Sequence, residues 1–270
     1  MRLMTKVFRM RVRKRWCQVA AILFTGISAA LANPVTVTMQ LTGPPPGPNL
    51  GGIYTDPYTA LIGPAGQNST TYPQQAINGV STPVLCDDFT TDVSVAGTGA
   101  WQATLTNMSA FTGTALVTTV KFDTASGTDP MTQMRDYMAV AYLARQIMSL
   151  NPNSLQAEEM SYSLWGVFDP TSIDPNGPLS NAFLQGQQLT DAINYYNQAY
   201  ASVDGLLNAG YNGSYFSNVD IYSPNPSNAS QEYIVVKPVP EPGAYAWFAA
   251  GLAGLFWFRR RASKASAAVV

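Results

Sequence analysis

Apolar positions change rhythm twice along this chain, and the changes mark out its elements. Leu189, Ile193, Tyr196, Tyr200, Val203 and Leu207 follow spacings of 4, 3, 4, 3 and 4. One apolar face thus runs for about five helical turns, and Gly210 stops it. A helix is also predicted over 129–151, where Asp129 caps, Pro130 takes the first position, and Met134, Tyr137, Met138, Ala141, Ala144 and Met148 recur at helical spacing before Pro152. Between these two, Asn153 with Gln156 forms a capping-box-like start that leads to Tyr162, Trp165 and Phe168. On either side the period shortens. Runs rich in Thr, Val, Tyr and Gly predict strands at 84–89, 92–95, 101–105 and 115–122, and again at 215–222 and 231–237, with Gly97, Gly99 and Gly113 at turns. Strands from both ends closing around a helical block predict an α+β fold: an antiparallel, sandwich-like sheet with about three inserted helices over 53–238. The stretch 33–52 holds Pro44, Pro45, Pro46 and Pro48, which lack amide donors, and is expected to be a tether or an extended lead-in strand.

Two further apolar runs belong to neither rhythm. The first, "CQVAAILFTGISAALA", follows seven of the chain's 15 basic residues and ends at Ala30-Leu31-Ala32, a small-x-small site. It predicts a signal peptide over 1–32, cut by signal peptidase between Ala32 and Asn33, since the run is shorter than the roughly 20 residues that span a bilayer. Lys14-Arg15-Trp16 stands before Cys17, so no lipobox is present. The second run covers 243–258, sixteen uncharged residues between Pro240-Glu241-Pro242 and the basic tail 259–270, which opens with Arg259, Arg260 and Arg261. As a helix it measures roughly 24 Å against a hydrocarbon core of about 30 Å, a marginal transmembrane span. Its arginines stay on the cytoplasmic side, which leaves the body outside.

Pro-Glu-Pro, an apolar helix and an arginine cluster, in that order and behind an N-terminal signal peptide, resemble the PEP-CTERM sorting signal of Gram-negative bacteria, here over 239–270. The resemblance implies processing by an exosortase, a membrane transpeptidase-like enzyme, with the membrane as a transient station. It also implies delivery to the cell surface or extracellular matrix of bacteria that make exopolysaccharide, biofilms or flocs. The signal gives an address; the domain in front of it varies between members.

Charge confines the body's function further. Between Asn33 and Val239 stand fifteen carboxylates and only Lys121, Arg135, Arg145 and Lys237, a formal charge of −11 that repels phosphate backbones. Nucleic acid is therefore not an expected partner. Histidine is absent from the chain, which rules out Ser-His-Asp and Cys-His catalysis and imidazole-based zinc sites. With the signal peptide removed, Cys86 is the one remaining cysteine, so it is buried and inert, an intermolecular partner, or reactive. Cys86, Asp87 and Asp88 form the candidate functional cluster. Strand alternation places Cys86 and Asp88 on one face and Asp87 on the other, which would let one acid approach the core and pair with a cation; calcium would suit such an acid, but no spaced D-x-D-x-D loop supports it. No metal or cofactor is expected. Glu158 and Glu159 are expected to form a solvated first helical turn.

In the body, "YTDPY" at 54–58, "VLCDDF" at 84–89, Trp101 and "YSLWGVFD" at 162–169 together resemble the scaffold of surface thioester domains. In those modules a strand cysteine is joined to a glutamine four residues before a helical tryptophan. Here Ser161 holds that position before Trp165, and Gln156 lies nine residues away, roughly two and a half turns. The resemblance therefore implies the scaffold with the covalent function lost. The expected function is a non-enzymatic structural or adhesive surface protein, with exopolysaccharide as a candidate partner. The alternatives are a carboxylate-based polysaccharide enzyme using Asp87 or Asp88, or a carbohydrate-binding module stacking sugars on Trp101 or Trp165.

Overall fold

The computed structural model describes residues 35–43, 49–50, 53–55, 57–69, 72–89, 91, 99–151, 154–174, 184 and 186–238. The signal peptide, most of the proline-rich lead-in, the predicted strand 92–95 and the terminal span 243–258 lie outside the described residues. The chain divides into two units, Met1–Val35 and Thr36–Val270, and apart from Val35 the described residues all belong to the second.

Six strands close into a barrel: β1 (Val35–Leu41), β4 (Tyr58–Pro64), β5 (Val80–Cys86), β8 (Tyr233–Val236), β7 (Val219–Pro224) and β6 (Trp101–Asn107), in that spatial order. β2 (Asn49–Leu50) and β3 (Ile53–Tyr54) form a separate two-stranded sheet. The expected sandwich is thus corrected to a closed barrel. Part of the lead-in supplies β1, which pairs antiparallel with β4 from Val37↔Pro64 to Leu41↔Ala60, and closure removes the free edges a sandwich would keep.

Side chains sort by strand alternation into two cores. Met39, Leu41, Tyr58, Ala60, Val84, Cys86, Trp101, Ala103, Tyr222, Tyr233 and Val235 fill the barrel. Leu85, Val219, Ile221 and Ile234, the alternate positions, face three helices instead. These are α1 (Pro130–Ser149), α2 (Leu155–Trp165) and α3 (Gln187–Asn208). α1 starts as expected, with the Asp129 side chain accepting from the Thr132 amide and Pro130 at its first turn. α2 is capped by Ser154, whose side chain accepts from the Ala157 amide, one residue later than the capping box at Asn153 predicts. α3 ends in a Schellman motif: the Gly210 amide reaches Leu207 O and the Tyr211 amide reaches Leu206 O, with Gly210 at φ +84°.

One strand expectation fails and another holds only in its second half, 219–222. Residues 115–122 form turns and bends, and 215–222 opens with a 3₁₀ turn at Gly213–Phe216 before β7 begins. In the first of these segments, side chains satisfy the backbone that a neighbouring strand would otherwise pair. Gln133 both accepts from the Val117 amide (2.8 Å) and donates to Val117 O (3.0 Å), Tyr137 takes the Phe122 amide, and Glu232 takes the Lys121 amide.

Candidate functional site

β5 ends at Cys86, and the chain carries Asp87 and Asp88 directly into the seam between barrel and helices. Both acids are fully buried. The Cys86 thiol donates to Asp88 O (3.2 Å) and accepts from the Asp88 amide (3.3 Å). Burial above all, then the neighbouring Asp87, pushes this thiol well above its ordinary pKa, so it is neutral.

Asp88 is neutralised by a cation. Lys121 Nζ donates to Asp88 Oδ2, to Thr91 Oγ1 (2.7 Å) and to Ser230 O (3.3 Å), which occupies all three ammonium donors. The pair is enclosed, with side-chain exposures of 14% for Lys121 and 0% for Asp88. Asp88 Oδ1 also accepts from the Thr91 amide (3.1 Å), and Gln231 ties the same segment through Asp88 O and Thr91 O.

Asp87 meets a second acid instead. Its carboxyl oxygens meet no hydrogen-bond donor among the described residues, and the polar group beside it is the Glu232 carboxyl. Desolvation first and the Glu232 charge second raise Asp87 well above the carboxylate range. Glu232 is also raised by burial, but it accepts from Tyr137 Oη (2.8 Å), the Lys121 amide (2.7 Å) and Ser223 Oγ, all of which favour its ionised form. Of the two acids, Asp87 is therefore the one whose neutral form its surroundings favour.

The aromatic signals of the sequence converge here. Trp165 Nε1 donates to Cys86 O (2.8 Å), and the Phe89 and Trp165 rings lie 5.0 Å apart. One turn earlier, Ser161 Oγ donates to Thr55 O (2.6 Å), joining α2 to the segment beside β3. Trp101 packs within the barrel, 5.8 Å from Tyr233, and both tryptophans are buried, so neither offers a sugar-stacking platform. Glu158 and Glu159 correct another expectation. Both are buried on α2, which packs against both α1 and α3, and desolvation, then Asp191 and Glu158, pushes Glu159 up to about 7.

Sequence reasoning missed Lys121, Tyr137, Ser223 and Glu232, which lie 33 or more residues from Asp88 along the chain. The one available signal was scarcity: with four cations for fifteen carboxylates, each basic residue of the body is a candidate partner for a buried acid, which singles out Lys121 only as one of four. Among the described residues no cluster of His, Cys, Asp or Glu could hold a metal, and no helix is long and apolar enough to cross a membrane.

The sorting residues Pro240, Glu241, Pro242 and Arg259–Arg261, like the cleavage site at Ala30, Ala32 and Asn33, lie outside the described residues. Their region matches a known family motif over residues 238–261. The chain carries a PEP-CTERM protein-sorting motif. A PEP-CTERM motif implies processing by an exosortase and export with membrane-anchored sorting to the cell surface. No curated protein sequence matches the chain. Among solved structures, the N-terminal thioester domain of the fibronectin-binding protein SfbI from Streptococcus pyogenes resembles it weakly. That match has 12% identity over 78% of this chain and 97% of that one, with a TM-score of 0.37.

Proposed function

We propose that this PEP-CTERM protein is a non-enzymatic structural or adhesive component of the surface or exopolysaccharide matrix of a Gram-negative bacterium. On this reading signal peptidase removes 1–32, and an exosortase acts at the C-terminal motif. The observation that carries the non-enzymatic part is the closure of the acid cluster. Burial beside Glu232 favours the neutral form of Asp87, Asp88 has Lys121, and neither acid is exposed to solvent. Paired carboxylates that hydrolyse glycosidic bonds need roughly 5–9.5 Å between them, open to a sugar and a water. Here the acids are enclosed among buried side chains that include Cys86, Tyr137 and Trp165.

Replacing Pro240 and Pro242 by alanine in the native host is expected to abolish C-terminal trimming and surface display. Unchanged trimming and display would overturn the sorting part. Hydrolysis of a polysaccharide by the purified chain, lost in Asp87→Asn or Asp88→Asn, would overturn the non-enzymatic part.

A further inference from the structure

Of the four basic residues in the body, three each have an aspartate: Lys121 with Asp88, Arg135 with Asp204, and Lys237 with Asp220. Arg145 has none. Among the described residues it makes no hydrogen bond and no ion pair, and its guanidinium lies over ring faces instead, Tyr215 at 6.0 Å and Phe216 at 5.5 Å. In a body with fifteen carboxylates, leaving one guanidinium without an anion is unexpected, because any nearby acid would stabilise it.

Two hollows meet at this residue. One, of about 440 Å³, lies between the C-terminal half of α1, α3 and the 3₁₀ turn before β7, lined by Tyr142, Gln146, Ser202 and Tyr215 among others. The second, of about 540 Å³, runs past β5 and β8, with Met148, Val235 and Lys237 in its wall. Arg145 and Ser149 belong to both. Among the described residues no carboxylate side chain lines either one. Their size suits a small ligand or a short stretch of polymer.

We propose that Arg145 is the anion-recognising residue of a binding site for carboxylated sugars of an acidic polysaccharide, a local contact in hollows that no described carboxylate lines, made against the long-range repulsion of a body that carries −11 and therefore strengthened by added salt. A guanidinium offers a planar fork of N–H donors that matches a carboxylate in two parallel hydrogen bonds. Tyr215, 45% exposed, lines the first hollow, where an exposed aromatic ring suits the stacking of a pyranose. Gln146, Ser149 and Ser202 supply neutral hydrogen-bonding groups suited to hydroxyls. The paired hollows, sharing one cation, suit an extended ligand that passes across Arg145 from one to the other. Lys237, held by Asp220 at 3.0 Å, adds charge to the second hollow without being available as a free cation.

This deepens the matrix reading and rests on it only for where such a polymer is met. Failure of sorting in the proline variants leaves binding intact, and failure of binding leaves sorting intact. The test is titration calorimetry of the full chain in detergent with trigalacturonate, with maltotriose as the neutral trimer and a short peptide bearing a free C-terminal carboxylate as the rival anion. Trigalacturonate is expected to bind, maltotriose at least about tenfold more weakly. Arg145→Gln should lose about tenfold or more, Arg145→Lys should lose less, and Tyr215→Ala should weaken binding with unchanged melting. Equal binding of the two trimers, preference for the peptide, or an Arg145→Gln protein that melts normally and binds as before would each overturn the proposal.

Discussion

Lys121 and Arg145 carry the same charge in the same acidic body and are treated in opposite ways. Lys121 is enclosed, with each ammonium hydrogen given an acceptor and a buried aspartate as its partner. Arg145 is placed at the junction of two open hollows with aromatic faces beside it. The difference follows from desolvation. A charge removed from water must find its full complement of partners inside the protein, whereas one that keeps access to water can remain uncommitted and available. Internal completeness marks Lys121 as architecture, and incompleteness marks Arg145 as a point of contact.

The largest effect is expected where the enclosed charge is broken. Lys121→Met leaves Asp88 buried without its cation, and should destabilise the body by about 3–5 kcal/mol in denaturant unfolding. Adding Asp88→Leu should recover part of that loss, since replacing both members of a buried pair costs less than removing one; a double variant worse than the single would refute the pairing. Next comes Trp165→Phe, which keeps an aromatic ring but orphans Cys86 O, at about 1–3 kcal/mol.

Two acids whose desolvation outweighs their favourable partners give a third, smaller signature in pH. Desolvation first raises Asp136 to about 6, with the Asp123 charge adding to the shift and a hydrogen bond from Tyr200 opposing it. Desolvation, then Asp191 and Glu158, raises Glu159 to about 7. Unfolded carboxyls titrate near about 4, so the folded state binds these protons more tightly. Their contribution is complete below about pH 4 and is lost as pH rises through about 6 and 7. Thermal melting should therefore decline between about pH 5 and pH 8. Glu159→Gln should flatten the upper half of that decline and Asp136→Asn the lower half; an unchanged profile in both would contradict it. The smallest expected effect is Arg145→Gln, within about 0.5 kcal/mol of the parent, as befits a charge that holds no anion. A loss of several kcal/mol there would make Arg145 an internal staple and erase the contrast with Lys121.

Much of the helical layer was legible in the chain. The α3 pattern and its glycine stop, and the Asp129-Pro130 start of α1, are local features that a few residues encode and local hydrogen bonds complete. The α2 cap was displaced by one residue, since both Asn153 and Ser154 are N-capping residue types and the sequence alone does not separate neighbours. Strand propensity misled at 115–122, where Val117 and Phe122 are bound by the side chains of Gln133 and Tyr137. Local preference is a weak competitor there, since fixed side-chain hydrogen bonds satisfy the same backbone groups. At the candidate cluster, Cys86, Asp87 and Asp88 stood out as residues, but their chemistry depends on Lys121, Tyr137 and Glu232, which arrive from a loop, from α1 and from the residue before β8.

By itself, the sequence determined the motif at 238–261, the absence of histidine, the acidic body and the periodicity of its helices. All of these are properties of composition or of neighbours along the chain. The tertiary structure alone decided that six strands close into a barrel, that Asp87 is buried beside Glu232 while Asp88 meets an ammonium, and that Arg145 is left without an anion among the described residues. Desolvation and pairing depend on which distant residues meet, and 145 residues separate Asp87 from Glu232.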